Sequence, residues 1–268
     1  LMAMGGSNPT AAADPATYPP IDVYGIGADA VENIFYYAVA MLMEPDELLA
    51  DYRADIVLAC ETLYPVEECY LSTVEKAFDA VGIYESGTTP PAIPSGPDPQ
   101  ITPWGARFGT SPYWQSPDVY CKDAGGAEVN PQKGIANTLC ANIRNIGDVD
   151  ATGVTVSFSY SPYGMGYHHE DFKLIGSATV DLPAGGADQE VCVEWDLTDL
   201  TEDYGGLWPY PIEDFDHFCV LVELEHADDV EPCNNMTQHN FTNVELADAD
   251  GDGVNTSLLV ANPGKVPA

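Results

Sequence analysis

Basic residues are scarce: 8 Lys and Arg stand against 43 Asp and Glu, a formal net charge of −35 at pH 7. A field of that sign repels phosphate backbones and anionic lipid surfaces, which excludes nucleic acid and anionic membranes as partners. The excess is spread along the chain, since residues 1–84 hold 14 acids and only Arg53 and Lys76 as bases. No run of 18 or more apolar residues occurs, so no helical membrane span is expected. No Cys-x-x-Cys pair occurs among the seven cysteines, which argues against a zinc ribbon or a thioredoxin-type site. No basic n-region precedes an apolar core at the start, so the chain does not open like a secretory leader. It opens inside an apolar helical phrase, and the expectation is a processed product or a fragment.

What is present falls into a helical part and a β part. The stretch 28–43 places Val31, Ile34, Phe35, Ala38, Leu42 and Met43 at helical spacing. A second helix over 46–63 carries Leu49, Tyr52, Ile56, Cys60 and Leu63 on one stripe. A third over 70–81 carries Leu71, Val74, Ala77, Phe78 and Val81 and stops at Gly82. Phe35, Tyr36, Tyr37 and Phe78 read as core. From Glu85 to Pro103 prolines remove amide donors and fix φ, so 85–103 reads as a semi-rigid linker.

Beyond the linker the apolar period changes from 3.6 to 2. Val119/Cys121, Leu139/Ala141/Ile143, Val154/Val156/Phe158, Ala178/Val180/Leu182, Val191/Val193/Trp195 and Phe218/Val220/Val222/Leu224 alternate with polar neighbours. Turn residues separate them, as at Asn145–Asp148 and Pro183–Gly186. Short strands in that number make an antiparallel, immunoglobulin-like β-sandwich over 104–247, with Asn234–Val244 as its last strand. Residues 248–268 read as an acidic linker and the start of a further β domain. The fold class expected is multidomain α plus β, a small helical bundle followed by an antiparallel β-sandwich.

Candidate sites are few. Asp248, Asp250 and Asp252 have the alternate spacing of a calcium loop, and Gly253 permits a sharp turn. Leu259 stands where a calcium-binding helix–loop–helix would need a bidentate acid, so the string is either a calcium-stiffened linker or a solvated one. His168-His169-Glu170-Asp171 reads as a surface loop, and Asp214–His217 as a polar loop before a strand. His217, His226 and His239 are isolated. Trp104, Trp114, Trp195 and Trp208 include one candidate for stacking on sugars, Trp208, whereas Trp195 follows the inward alternation. Abundant cysteine, Tyr, Gly and Pro favour a secreted, disulfide-bearing protein. Cys60 and Cys69 flank an interhelical turn and are the pair expected to bridge, leaving Cys121, Cys140, Cys192, Cys219 and Cys233 unassigned.

Tyr24-Gly25-Ile26-Gly27, Ile34-Phe35-Tyr36-Tyr37-Ala38 and Ala77-Phe78-Asp79-Ala80-Val81-Gly82, in this order and spacing, resemble the last three helices of the thermolysin-like neutral metallopeptidases. Leu1–Gly6 looks like the end of that family's preceding helix and the glycines after it. The resemblance covers residues 1–84 and implies the C-terminal part of a secreted zinc metalloendopeptidase. Its zinc ligands and catalytic acid/base residues would lie in a missing N-terminal half; His-Glu-x-x-His is absent from this chain, and no catalytic residue is assigned in it. Asp118-Val119-Tyr120, Ile143–Gly147, Ala151–Val156, the Leu182–Gly186 turn and His217–Leu221 together look like the bacterial adhesion-related modules called CARDB. The partners expected are the protease half or another copy of the chain, because three helices alone would expose apolar stripes, and an extracellular protein or carbohydrate for the sandwich. A non-catalytic extracellular structural or adhesive protein is the competing reading.

Overall fold

The computed structural model describes residues 2–3, 6–7, 21–66, 68–85, 95–102, 115–162, 172–199, 203–204, 208–211, 215–242 and 244–245. A two-stranded ribbon, β1 (Gly6–Ser7) with β2 (Asp22–Val23), precedes the helices. Residues 2–3 form a turn, whose carbonyls accept from the Ile26 and Gly27 amides; among the described residues no helix precedes the ribbon.

Helix α1 (Ala28–Tyr37) continues as a π-helical turn over Ala38–Leu42, followed by α2 (Leu49–Leu63) and α3 (Glu68–Ala80). Asp51 accepts from the Leu48 amide at 3.1 Å and so starts α2. The end of α3 is a Schellman turn: Gly82, at φ +77°, donates to Asp79 O and Ile83 to Phe78 O, both at 3.0 Å. Ile34, Ala38, Ile56, Cys60, Val74 and Phe78, from the stripes read in the sequence, form the buried centre of the bundle together with Ala59, which those stripes left out. Tyr52 sits between Phe35 and Phe78 with edge-on rings at 6.2 Å each. Tyr36 does not join this core; it is 75% exposed, since its neighbours Phe35 and Tyr37 take the inner face. The ends of the stripes are also uncovered, with Leu48 72% and Leu49 66% exposed.

The sandwich packs two antiparallel sheets. One has the order β13-β12-β7-β8, from β7 (Ala151–Pro162), β8 (Lys173–Leu182), β12 (His217–Glu225) and β13 (Met236–Thr242). The other is built on β6 (Ala136–Asn145), which pairs with β3 (Pro99–Gln100), β4 (Val119–Lys122) and β9 (Gln189–Asp196); β5 (Glu128–Val129) lies outside β4. A short hairpin joins β10 (Asp203–Tyr204) and β11 (Trp208–Pro211). The inward sets read from the alternation are the core, with Trp195 held among Tyr160, Phe218 and Phe241 at 5.3, 5.8 and 6.2 Å. The expectation of a linker over 85–103 is corrected at its C-terminal end. Residues 95–102 belong to the sandwich, because Pro99 and Gln100 pair with Asn145 and Arg144 and Ile101 is fully buried in the core. Proline is tolerated there because β3 is a two-residue strand with few amide bonds to make.

Candidate functional site

The Cys60–Cys69 bridge expected from the sequence does not form. Cys60 points into the bundle core as a fully buried free thiol, beside Val74 and Phe78. Cys69 lies on the other side of α3 and pairs with Cys233, 164 residues away, in the short 3-10 turn before β13. The turn between α2 and α3 thus brings the two cysteines near in sequence but faces them in different directions.

That disulfide heads a row of contacts. Cys69, Thr73 and Lys76 recur at i, i+4 and i+7, one face of α3. The Thr73 hydroxyl donates to Tyr24 O at 2.7 Å, and Lys76 forms an ion pair with Glu231 while its Nζ lies 6.0 Å from the Tyr24 ring centre. The Tyr24 hydroxyl accepts from Gln100 Nε2 at 3.0 Å and from Asn234 Nδ2 at 3.2 Å. Asn234, fully buried, also donates to Asp98 at 2.7 Å, and its carbonyl accepts from the Ile101 amide at 3.2 Å. Tyr24 therefore ties the helical part to both the 95–102 stretch and the β12–β13 connection. The sequence signal was the Tyr24–Gly27 phrase, but nothing in it named Asn234 or Cys233 as partners.

A second buried ionic group lies inside the sandwich. Asp118 accepts from Arg144 Nη2 at 3.0 Å and from the Thr102 amide at 2.8 Å, and it bonds the Thr102 hydroxyl. Arg144 Nε is also 3.0 Å from Asp188, an ionic contact without hydrogen-bond alignment. In the bundle, Arg53 pairs with Asp79 at 3.2 Å. Burial still holds the Asp79 carboxyl above its usual pKa, with Arg53 pulling the other way. Both groups hold elements together.

The described residues hold no fitting metal centre. Cys140, Glu190 and Cys192 converge, but Cys140 and Cys192 are joined to each other across β6 and β9 and have no thiolate to offer. Asp248, Asp250 and Asp252 lie outside the described residues, as do His168, His169, Glu170, Asp171, Trp104 and Trp114. Trp208 is in β11. His217, His226 and His239 stay apart from any such group among the described residues. His239 Nδ1 donates to Ser116 O at 2.8 Å, and burial lowers its pKa.

Residues 11–83 match the family model for the thermolysin metallopeptidase alpha-helical domain. Bacillolysin of Bacillus caldolyticus is 36% identical over 64 residues, which is 24% of this chain and 12% of that protein. Thermolysin of Alicyclobacillus acidocaldarius subsp. acidocaldarius matches at the same 36% over 64 residues, again 24% of this chain and 12% of the relative. The chain thus spans about an eighth of the length of the curated relatives it matches. Among solved structures, the CARDB domain of a Pyrococcus furiosus protein, described as a complex with di-metal ions, aligns over 58% of this chain and all of that domain, at 10% identity and a TM-score of 0.35. A β-glucosidase from Thermotoga neapolitana aligns over 63% of this chain and 19% of the enzyme, at 15% identity and a TM-score of 0.33. Likenesses that loose bear on neither function nor ligand. What the chain carries ahead of its β-sandwich is a helical region matching the C-terminal, alpha-helical domain of the thermolysin metallopeptidases.

Proposed function

We propose that this chain is the C-terminal part of a secreted thermolysin-like zinc metalloendopeptidase, followed by a β-sandwich that serves binding or assembly. The observation that carries the reading is the helical match over 11–83, whose three helices close into one bundle core. Zinc in such an enzyme lowers the pKa of a bound water for attack on a peptide carbonyl. Among the described residues no ligand set fits that role and the sequence lacks His-Glu-x-x-His, so the zinc is assigned to a further segment and no cleavage is expected from this chain alone. Exposed Val39, Met41, Leu48 and Leu49 support a covering partner, the protease half or a second copy. The domain plan is a helical unit to about residue 84, a sandwich from 95 to 247, and a tail in which Asp248, Asp250 and Asp252 form a calcium-stiffened linker.

Intact mass, zinc content and casein cleavage of the native material test this reading together. A longer or associated polypeptide with stoichiometric zinc and chelator-sensitive cleavage is expected. A lone 28.7 kDa species without zinc or cleavage would leave the competing reading, an extracellular structural or adhesive sandwich carrying a relic bundle. Calorimetric titration with calcium, set against a chain with Asp250→Asn and Asp252→Asn, separately tests the acidic tail; equal heats from both would remove calcium.

A further inference from the structure

The two disulfides differ in where they sit and in what depends on them. Cys140–Cys192 joins directly opposed residues of β6 and β9, and Cys140 is fully buried. Cys69–Cys233 joins the helical part to the sandwich, with Cys69 on the exposed first turn of α3 and Cys233 half-buried. The other three cysteines are buried and in no disulfide, and burial pushes Cys60 up to about 11 and Cys121 up to about 12. Those two are protonated at neutral pH and take no part in thiol exchange.

Among the described residues, the contacts seen at the junction besides its disulfide are polar. The buried core clusters of the helices and of the sandwich share no residue among those described. Between them run the Tyr24 hydroxyl contacts and the Lys76–Glu231 pair. Tyr24, Gln100 and Lys76 are half-buried, so water reaches their side of these contacts although Asn234 and Glu231 are buried, and each contact is individually weak, as in transient interdomain surfaces. The disulfide is the one covalent cross-link found between the two units among the described residues.

We propose that Cys69–Cys233 is a redox-sensitive latch: oxidised, it holds the sandwich against α3; reduced by a dithiol, it releases the sandwich as a separately moving module. A thiolate of the reductant attacks one sulfur and forms a mixed disulfide. The other cysteine leaves as its thiolate; the reductant's second thiolate then attacks the reductant sulfur of the mixed disulfide and expels the remaining cysteine, so two electrons and two protons end on Cys69 and Cys233 and the reductant leaves as its own disulfide. This inference rests on the junction and not on the peptidase reading, so it survives or fails independently of zinc and cleavage.

The test uses the 268-residue chain. Peptide mapping without reduction should return a cross-linked pair containing Cys69 and Cys233. Dithiothreitol titrated under native conditions should expose these two to alkylation at a concentration at least about tenfold lower than Cys140 and Cys192, because exposed disulfides are the labile ones. Small-angle scattering should then show the radius of gyration rising on reduction, with the near-ultraviolet dichroism of the Trp195 cluster unchanged. Cys69→Ser, at an exposed position, and Cys233→Ser should give the larger radius without reductant, whereas Lys76→Gln should keep the smaller one. Cys69 found joined to Cys60, both disulfides opening together, or an unchanged radius on reduction would overturn the latch. So would loss of the Trp195 signal on reduction, since the bond would then be holding the sandwich fold itself.

Discussion

His239 faces inward from β13, its ring 4.6 Å from Phe241 and its Nδ1 hydrogen given to Ser116 O. Burial lowers its pKa below the ordinary 6.5, with the Ser116 carbonyl and Glu128 opposing. The unfolded chain therefore binds a proton that the folded one refuses, and stability falls as pH drops through and below about 6.5. His217, lowered by burial against the charge of Asp216, acts in the same direction. Urea midpoints at pH 7.5 and 5.5 should show this loss in the native chain and a smaller one in His239→Gln; equal losses would place the acid sensitivity elsewhere. Asp79 behaves with the opposite sign, because its folded pKa is raised and ionising it costs stability as pH rises through that value. Removing its partner by Arg53→Met leaves a carboxylate that is 12% exposed without its counter-charge, at a cost of about 3 kcal/mol at neutral pH. The deficit should shrink in mild acid as Asp79 takes up a proton, and a pH-independent deficit in the denaturation series would speak against this account.

Gly82 lets α3 stop where it does, and its φ of +77° is a conformation any other residue enters at a cost of about 1–2 kcal/mol. Gly82→Ala should destabilise the bundle by that amount and so lower its thermal midpoint, and calorimetry that found no change would mean the turn relaxes. Gly147 is set by a different constraint, since a Cβ there would stand 2.1 Å from the Gly96 carbonyl oxygen and 2.7 Å from the Asp98 amide. Gly147→Ala should push the 95–102 stretch off β6 at a cost of about 1–3 kcal/mol, measured as faster amide exchange at Asp98 and Ile146. The apolar periods were enough to find the three helices and the inward faces of β6, β7, β9 and β12, because burial of those faces is what fixes them. They failed at the ends, where propensity competes with local contacts: the π turn after Tyr37 leaves no trace in the spacing, whereas Tyr36 lies off the stripe and only its aromatic type argues for core. Pro99 hid β3 because its residue type argues against a strand, while the pairing with Asn145 and Arg144 is a tertiary fact.

At the scale of the molecule, the junction was the part least legible in the sequence. Cys233 is 164 positions from Cys69, and neither spacing nor composition selects one long-range pair among seven cysteines. The chain is also far from neutral, at −35, so self-repulsion opposes the compact state. Raising salt from about 0.01 to 1 M shortens the screening length from about 30 to 3 Å and should raise the thermal midpoint. A flat response would show that the acids are spaced too widely to matter. The covalent ring from Cys69 to Cys233 encloses every strand from β3 to β12 and leaves β13 outside it. Under tension applied at the two ends, the load path runs through the sulfurs and bypasses the enclosed strands. Of the sandwich strands only β13 can be peeled from β12, and with the Cys140–Cys192 loop still closed about 380 Å of contour length stays hidden until the Cys69–Cys233 bond is cut. In a force trace that hidden length would appear as a single added extension with reductant present, so that the ring acts as a mechanical shunt protecting most of the sandwich from pulling.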